Sequence, residues 1–477
     1  MDCTDYKTAL WGFSWEDIYE GNDCIEQGVA NLTEDGITLE IPFGELLGSR
    51  GVVVVGAPAK PSDVDYLYGF SQSGDHLVLK NASLAGMSTS YPGGSSQMIN
   101  AQHLFAARSQ FDPNANVELL YLTLEGLSEW VREMPFVTEW GTNPSEFHAI
   151  KYDYENKDAY NRTLLDDSDR TIELFHVFSV SSLSADGVGI KHNCQLKVSF
   201  KNVTSFESAM KTASRLSQFL SYCLGYYAEI KELRFMFSGS ESLVKCHSRF
   251  LRGPKPSCKA KQRIPIHLND IEDVIEGALS HWLDMERGAS EACSITTSLL
   301  TQGWNLPIDL RFIAAAQALE ALSKTGTNIS AMPAEEHERL RDIVKSSVTD
   351  TEARKWISGR MPGNAKGQKT LLKELFSRNQ ELLNWLLEDE AQFLAQHIAA
   401  RNYYTHRHND SATGNAPLEG EGLFWHTEIV LLINYGIIGS MLGLNANRFT
   451  ICLKKSAYKE SVVRKAREVY AASEQRG

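Results

Sequence analysis

The hydrophobic periodicity changes character once along this chain, and that change limits the fold more than any other feature. Up to about Gly239 the apolar residues fall in short runs rich in β-branched and aromatic side chains: 52–55, 76–79, 117–124, 171–180 and 191–200. Turn-forming clusters such as Tyr91-Pro92-Gly93-Gly94 and Asp112-Pro113-Asn114 separate them. Gln195-Leu196-Lys197-Val198-Ser199-Phe200 alternates as a half-buried strand does. One stretch, 205–224, breaks the pattern with helical spacing, and 229–237 returns to strand. From Asn269 onward the spacing is helical, with candidate helices over 271–287, 308–324, 335–345, 369–387, 391–405, 423–444 and 456–473. The expected architecture is α+β and multidomain: a β-rich domain over 1–240, a connector over 241–268, and an all-α bundle over 269–477. The chain has 477 residues, too many for one ordinary core, which agrees with this division.

The connector has its own signature. Seven Lys or Arg residues and no Asp or Glu lie between Lys245 and Arg263, and Gly253-Pro254 and Pro256 oppose regular structure. This strip is either a solvated connector or a surface offered to RNA phosphates, and the sequence leaves both open. The net charge of -13 excludes a protein that coats nucleic acid non-specifically. Any nucleic-acid site must be a local basic cleft.

The eight cysteines are scattered without a Cys-x-x-Cys pair, which fits reduced thiols in a cytoplasm. Cys246, His247 and Cys258 would supply three zinc ligands, but a structural site wants four with paired spacing, so no metal or cofactor is expected. Met1-Asp2-Cys3-Thr4-Asp5 carries no basic segment followed by an apolar run, so no secretory signal is expected. The most apolar stretch, 429–444, is interrupted by Asn434, Gly436, Gly439, Ser440 and Gly443 and falls short of the roughly 20 residues a spanning helix needs. It is read as a buried helix, with no membrane partner.

The segment richest in chemistry is 392–406. On a helix, Leu394, Ile398, Arg401 and Thr405 form one stripe, flanked by Phe393, His397 and Tyr404. Arg401 therefore falls where periodicity predicts a core residue. A guanidinium is not buried without an anion, so either a carboxylate inside the bundle or an arriving phosphate must compensate it. His406 lies about 140° round an ideal helix from Arg401. The loop-like sequence after it, Arg407-His408-Asn409-Asp410-Ser411, marks it as the helix end, where the backbone can turn and both groups can face one cleft. These residue types suit RNA scission. The 2′-hydroxyl is an internal nucleophile, an imidazole with a pKa of about 6.5 can move its proton, and a guanidinium can grip the phosphorane.

Arg401-Asn402-Tyr403-Tyr404-Thr405-His406, late in a helical domain and followed by a polar loop and a long apolar helix, resembles the Arg-x4–6-His motif of HEPN ribonucleases. The first half, with Trp11-Gly12-Phe13-Ser14-Trp15 and Gly36-Ile37-Thr38-Leu39-Glu40-Ile41, resembles the ApeA-type architecture, in which a β-rich N-terminal domain precedes an ApeA-like HEPN bundle. The resemblance implies an antiphage, abortive-infection endoribonuclease acting without a metal. Arg401 and His406 are then the catalytic pair and Asn402 a supporting polar residue. It also implies a homodimer through the HEPN domains and a phage-derived trigger sensed by the N-terminal domain.

Other residues carry two readings each. Glu320 flanks the apolar stripe of its helix (Phe312, Ala316, Leu319, Ser323) and is either a partner for Arg401 or a half-exposed carboxylate. Arg407 and His408 are candidate RNA-binding residues or solvated loop residues. Tyr403 is a candidate for base stacking, whereas Tyr404 is placed for the core. His397 is read as a packed, hydrogen-bonded histidine. Gly436, Ser440 and Gly443 recur at helical spacing and suit close backbone approach, within the bundle or across a dimer, with core packing the preferred reading. A different class of function competes with catalysis: a non-catalytic HEPN-like interaction or sensor module, with Arg401 an ion-pair residue and His406 a helix cap. Nucleotidyl transfer fits less well, because no Gly-Ser loop with paired acidic residues follows.

Overall fold

The computed structural model describes residues 6–21, 25–33, 36–48, 61–90, 94–132, 136–140, 147–152, 161–180, 190–248, 264–361, 363–406, 418–454, 461–465 and 468. The chain divides into two compact units, Met1–Leu220 with Tyr227–Ser257, and Ser221–Tyr226 with Cys258–Gly477.

The first unit is antiparallel. Strands β1 (Tyr6–Gly12), β2 (Glu26–Thr33), β3 (Gly36–Ile41), β4 (Asp63–Ser71), β5 (His76–Ser90) and β6 (Gly94–Ala101) pair in the order β5-β4-β1-β2-β3-β6. β6 also pairs with β5, so these strands close a barrel and leave no open edge between them. Alternation fills it: Trp11, Leu39, Leu67, Leu79 and Ile99 are fully buried in one cluster. Gly69 stands opposite Trp11 in the β1–β4 register. A Cβ at Gly69 would lie 2.8 Å from the indole, so this glycine makes room for the largest side chain in the barrel.

β5 is the pivot of the unit. Its first part, His76 to Lys80, pairs with β7 (His103–Ala107), and its last part pairs with β6. Between the two, Asn81 has φ 54°, a left-handed conformation that Asn tolerates, and its amide donates to Gln102 Oε1 at 2.8 Å. From β7 the sheet continues through β15 (Val244–Ser248), β14 (Ile230–Phe237), β8 (Val117–Leu124), β13 (Ile190–Phe200) and β12 (Arg170–Val180) to β11 (Arg162–Asp166). β9 (Phe136–Trp140) and β10 (Phe147–Tyr152) form a separate ribbon. Helices α1 (Trp15–Glu20), α2 (Leu127–Val131) and α3 (Phe206–Leu224) complete the N-terminal half.

The second unit is helical. Its elements are α4 (Leu268–Ile271), α5 (Ile275–Leu283), α6 (Arg287–Gln302), α7 (Ile308–Lys324), α8 (Ala334–Ser347), α9 (Thr351–Ser358), α10 (Gln368–Arg378), α11 (Gln380–Leu386), α12 (Glu390–His406), α13 (Gly420–Met441) and α14 (Ala446–Lys454). The helix α13 is buried on nearly every side, from Leu423 to Gly439 with few breaks. Gly436 lets Leu382 of α11 approach so closely that a Cβ there would sit 2.4 Å from its Cδ2.

Several expectations change. Val244–Ser248 lies inside the expected connector but pairs with β7 and β14, because its alternating pattern seats Val244, Cys246 and Ser248 on the buried face. Cys246 is therefore buried, with its thiol pKa driven up by that burial, while His247 projects to the other face. Two adjacent strand residues cannot converge on one ion, so the zinc set considered from sequence fails at its first two members. Cys258 and the strip from 249 to 263 lie outside the described residues, as does the strand expected over 52–55.

The stretch expected as one helix over 271–287 holds the last residue of α4, the whole of α5 and the first residue of α6, and most of α6, with α9 and α14, falls outside the expected helices. The stretch 369–387 is two helices that meet at Asn379. The helix expected over 456–473 lies largely outside the described residues. Gly443 takes φ +83° beyond the end of α13, and Ser440 is exposed, so these two do not share the packed stripe of Gly436. The helix expected over 423–444 has the expected length but begins and ends three residues earlier, and Gly420–Met441 is long and apolar enough by composition to cross a membrane. Its side chains are nevertheless buried within the unit.

Candidate functional site

Three helices build the site: α7, α12 and α13. The apolar face of α7 presents Phe312, Ala316, Leu319 and Ser323, all buried, and Glu320 flanks that face with its side chain 24% exposed. α12 turns Phe393, His397, Ala400 and Tyr404 inward. Ala400 and Tyr404 pack with Phe312 and with Leu423 of α13, and the Tyr404 hydroxyl donates to the Leu418 carbonyl at 2.9 Å.

The face of α12 differs from the sequence expectation by about one residue. Arg401 and Thr405 do not lie in the core: Thr405 is exposed and the Arg401 side chain is 28% exposed. The physical reason is the aromatic row. Phe393, His397 and Tyr404 bury more surface than Ile398 and Thr405 and so set the rotation of the helix. The guanidinium is left at the margin, where it reaches both a carboxylate and solvent.

At that margin Arg401 Nη2 lies 3.2 Å from Glu320 Oε2, and Arg401 Nη1 lies 3.5 Å from Asn402 Oδ1. Glu320 Oε1 accepts a second cation, Lys324 Nζ, at 2.8 Å. Burial by itself would raise the Glu320 pKa, but Lys324 and Arg401 together outweigh it and hold the carboxyl below its ordinary value. Glu320 is thus an ionised bracket between two cations. A pair this exposed contributes on the order of 0.5 kcal/mol to stability, so its importance is orientation.

Behind Arg401 sits a second arrangement. His397 and His426, both fully buried, face each other with Nδ1 of His397 3.3 Å from Nε2 of His426. Phe312 and Phe393 box the pair in, with ring centroids between 5.0 and 5.8 Å. Burial first, then the Arg401 charge, pushes the His397 pKa down to about 4. Burial, then His397, pushes that of His426 well below its ordinary value. Both rings are neutral near pH 7. They are sealed from solvent and support the Arg401 side of α12. His426 was not singled out from sequence: a lone histidine in an apolar helix carries no signal until its partner is known.

α12 runs as a helix to His406, its last residue. On an ideal helix the backbone of His406 rises about 7.5 Å beyond that of Arg401. The His406 side chain, Arg407 and His408 lie outside what is described. Asn402 and Tyr403 are both half-buried, and Tyr403 meets Tyr404 edge-on at 5.0 Å. The structure therefore brings together Arg401, Glu320 and Asn402, with Tyr403 one residue further along the same helix.

A buried ion pair sits deeper in the same three-helix group. Arg311 of α7 and Glu428 of α13 are 3% and 6% exposed, with Nη1 and Oε1 2.5 Å apart. Nearby, Asn434 Nδ2 donates to the Ala315 carbonyl at 2.9 Å. These polar ties fix the register of α13 against α7. Sequence reading missed them, because a single Arg and a single Glu on different helices become a pair only in the fold.

A family model described as ApeA N-terminal domain 1 matches residues 11–282, and one described as Apea-like HEPN matches residues 313–448. No curated protein and no solved structure matches the chain. The second match contains Glu320, Arg401, Asn402 and the helix end at His406.

Proposed function

The chain belongs to the family that joins an ApeA N-terminal domain to an Apea-like HEPN domain, and from that membership we propose that it is a metal-independent endoribonuclease of antiphage defence. The observation that carries the reading is the bracketed guanidinium: Arg401, held at the margin of the bundle by Glu320, on the last turns of a helix that ends in His406. A partly exposed Arg already oriented by a carboxylate can exchange part of that contact for a phosphate without leaving its place. In this role Arg401 grips the scissile phosphate and stabilises charge as it develops on the phosphorane. His406 moves the proton of the 2′-hydroxyl or of the leaving 5′-oxygen. Asn402 orients the guanidinium, and Tyr403, Arg407 and His408 contact the RNA. The products are a 2′,3′-cyclic phosphate and a 5′-hydroxyl. HEPN bundles of two copies supply two Arg–His pairs to one composite cleft, giving one base and one acid. The N-terminal domain holds the nuclease inactive until a phage-derived signal reaches it, and cleavage of cellular RNA then aborts infection in the cytoplasm.

A second reading rests on the same ion pair. Arg401 already has an anionic partner, so it also suits a non-catalytic module in which it ties α12 to α7. His406→Ala separates the readings. Catalysis predicts loss of RNA cleavage at unchanged melting temperature. The structural module predicts a lowered melting temperature and no cleavage by the wild type under any trigger.

A further inference from the structure

The strand-rich unit carries a histidine–cysteine cluster that the nuclease reading does not use. His176 of β12 stands directly opposite Cys194 of β13 in the antiparallel register, and His192 is two residues from Cys194, so all three share one face. His176 Nδ1 and His192 Nε2 are 2.9 Å apart, and Cys194 Sγ lies 3.8 and 3.9 Å from those two nitrogens. The rings are stacked 9° from parallel with centroids 5.1 Å apart. Cys194 is buried, while both histidines are half-exposed, which gives an ion a way in.

From these distances we infer that His176, His192 and Cys194 bind a zinc-class divalent ion. Around tetrahedral zinc, with bonds of about 2.05 Å to nitrogen and about 2.3 Å to sulfur, two imidazole nitrogens lie about 3.3 Å apart, and each lies about 3.6 Å from the sulfur. The observed triangle has the same order, one short N–N edge and two longer S–N edges, with each edge within about 0.5 Å of that ideal. Two imidazoles and one thiolate form a borderline-soft set that suits zinc and disfavours calcium or magnesium. Binding requires Cys194 to release its thiol proton to solvent, and no electron changes hands. Three protein ligands leave one tetrahedral corner for water or an incoming donor.

The position gives the ion work to do. β8 pairs with β13 only from Leu196 to Ser199, and β11 pairs with β12 only as far as Leu174. Among the described residues, β12 and β13 therefore continue past the sheet as a two-stranded ribbon from Phe175 to Val180 and from Ile190 to Gln195. Such a ribbon is marginal alone. The three ligands sit at its root, where an ion would clamp both strands and fix their register.

Cobalt titration of the metal-stripped full chain tests this, since Co²⁺ reports thiolate ligation by a near-ultraviolet charge-transfer band and four-coordination by its visible bands. The expected result is one equivalent bound with both signatures, displaced by Zn²⁺, and absent from C194A. H192A, which leaves the buried thiol in place, should weaken binding at least tenfold. A wild-type chain that shows no thiolate band on titration overturns the inference, because the His–His contact is then an ordinary imidazole hydrogen bond. A band that persists undiminished in C194A or H192A overturns it equally.

Discussion

Arg401 is interpretable only together with Glu320. The carboxylate accepts from Arg401 and from Lys324 on its two oxygens, and so fixes the guanidinium while remaining ionised. Glu320→Gln keeps the shape and removes the charge. The expected result is a fall in cleavage rate of about tenfold, with a stability loss below about 1 kcal/mol, as suits an exposed pair. Unchanged cleavage in Glu320→Gln would remove the carboxylate from the account. The buried imidazoles make a separate prediction with a defined sign. The ordinary His pKa of 6.5 falls to about 4 for folded His397, so the unfolded chain takes up a proton that the folded chain refuses. Stability is complete above pH 6.5 and is lost as pH falls from there towards about 4. Each such proton contributes a slope of up to about 1.4 kcal/mol per pH unit. Glu320, held below 4.5, adds to the loss only at the acidic end. Urea unfolding across this range should show the decline, and His397→Gln should flatten it. A wild-type slope of zero contradicts the neutral, sealed pair.

At the scale of elements, α13 is the post around which the bundle is fixed. Gly436→Ala places a methyl against Leu382, and should cost about 1–3 kcal/mol in a thermal or chemical melt. Glu428→Ala removes the carboxylate that faces the buried Arg311 guanidinium and should cost about 3–5 kcal/mol. A loss below about 1 kcal/mol for Glu428→Ala would mean that the pair is not dry. The same elements show where a sequence can be read. The limits of β8, β12, β13, β14, α3 and α7 were legible, because each has a clean period bounded by turn residues. The rotation of α12 was not, because Ile398 and Thr405 mimic a core stripe, and only the packing of Phe393, His397 and Tyr404 against Phe312 decides which face turns inward. Barrel closure was also hidden. It depends on β5 serving β7 and β6 with different halves, and on a left-handed Asn81 between them.

Across the whole molecule, the Apea-like HEPN match at 313–448 contains the bracketed Arg401, and the ApeA N-terminal match at 11–282 contains barrel strands β2 to β6, the end of β1 and the His176–His192–Cys194 cluster. The latter match runs past the strand-rich unit into α5, so the family boundary and the change in secondary structure do not coincide. If two bundles form one cleft, purified full-length protein should elute and scatter as a dimer, and a strictly monomeric chain that still cleaves RNA would contradict the composite site. The central claim concerns bond chemistry, and the ends of the cut RNA report on it most directly. RNA from cells expressing the triggered wild type should carry new 2′,3′-cyclic phosphate and 5′-hydroxyl ends that vanish in both Arg401→Ala and His406→Ala. Ends of that kind at wild-type level in either variant, or 3′-hydroxyl and 5′-phosphate ends in the wild type, would contradict it.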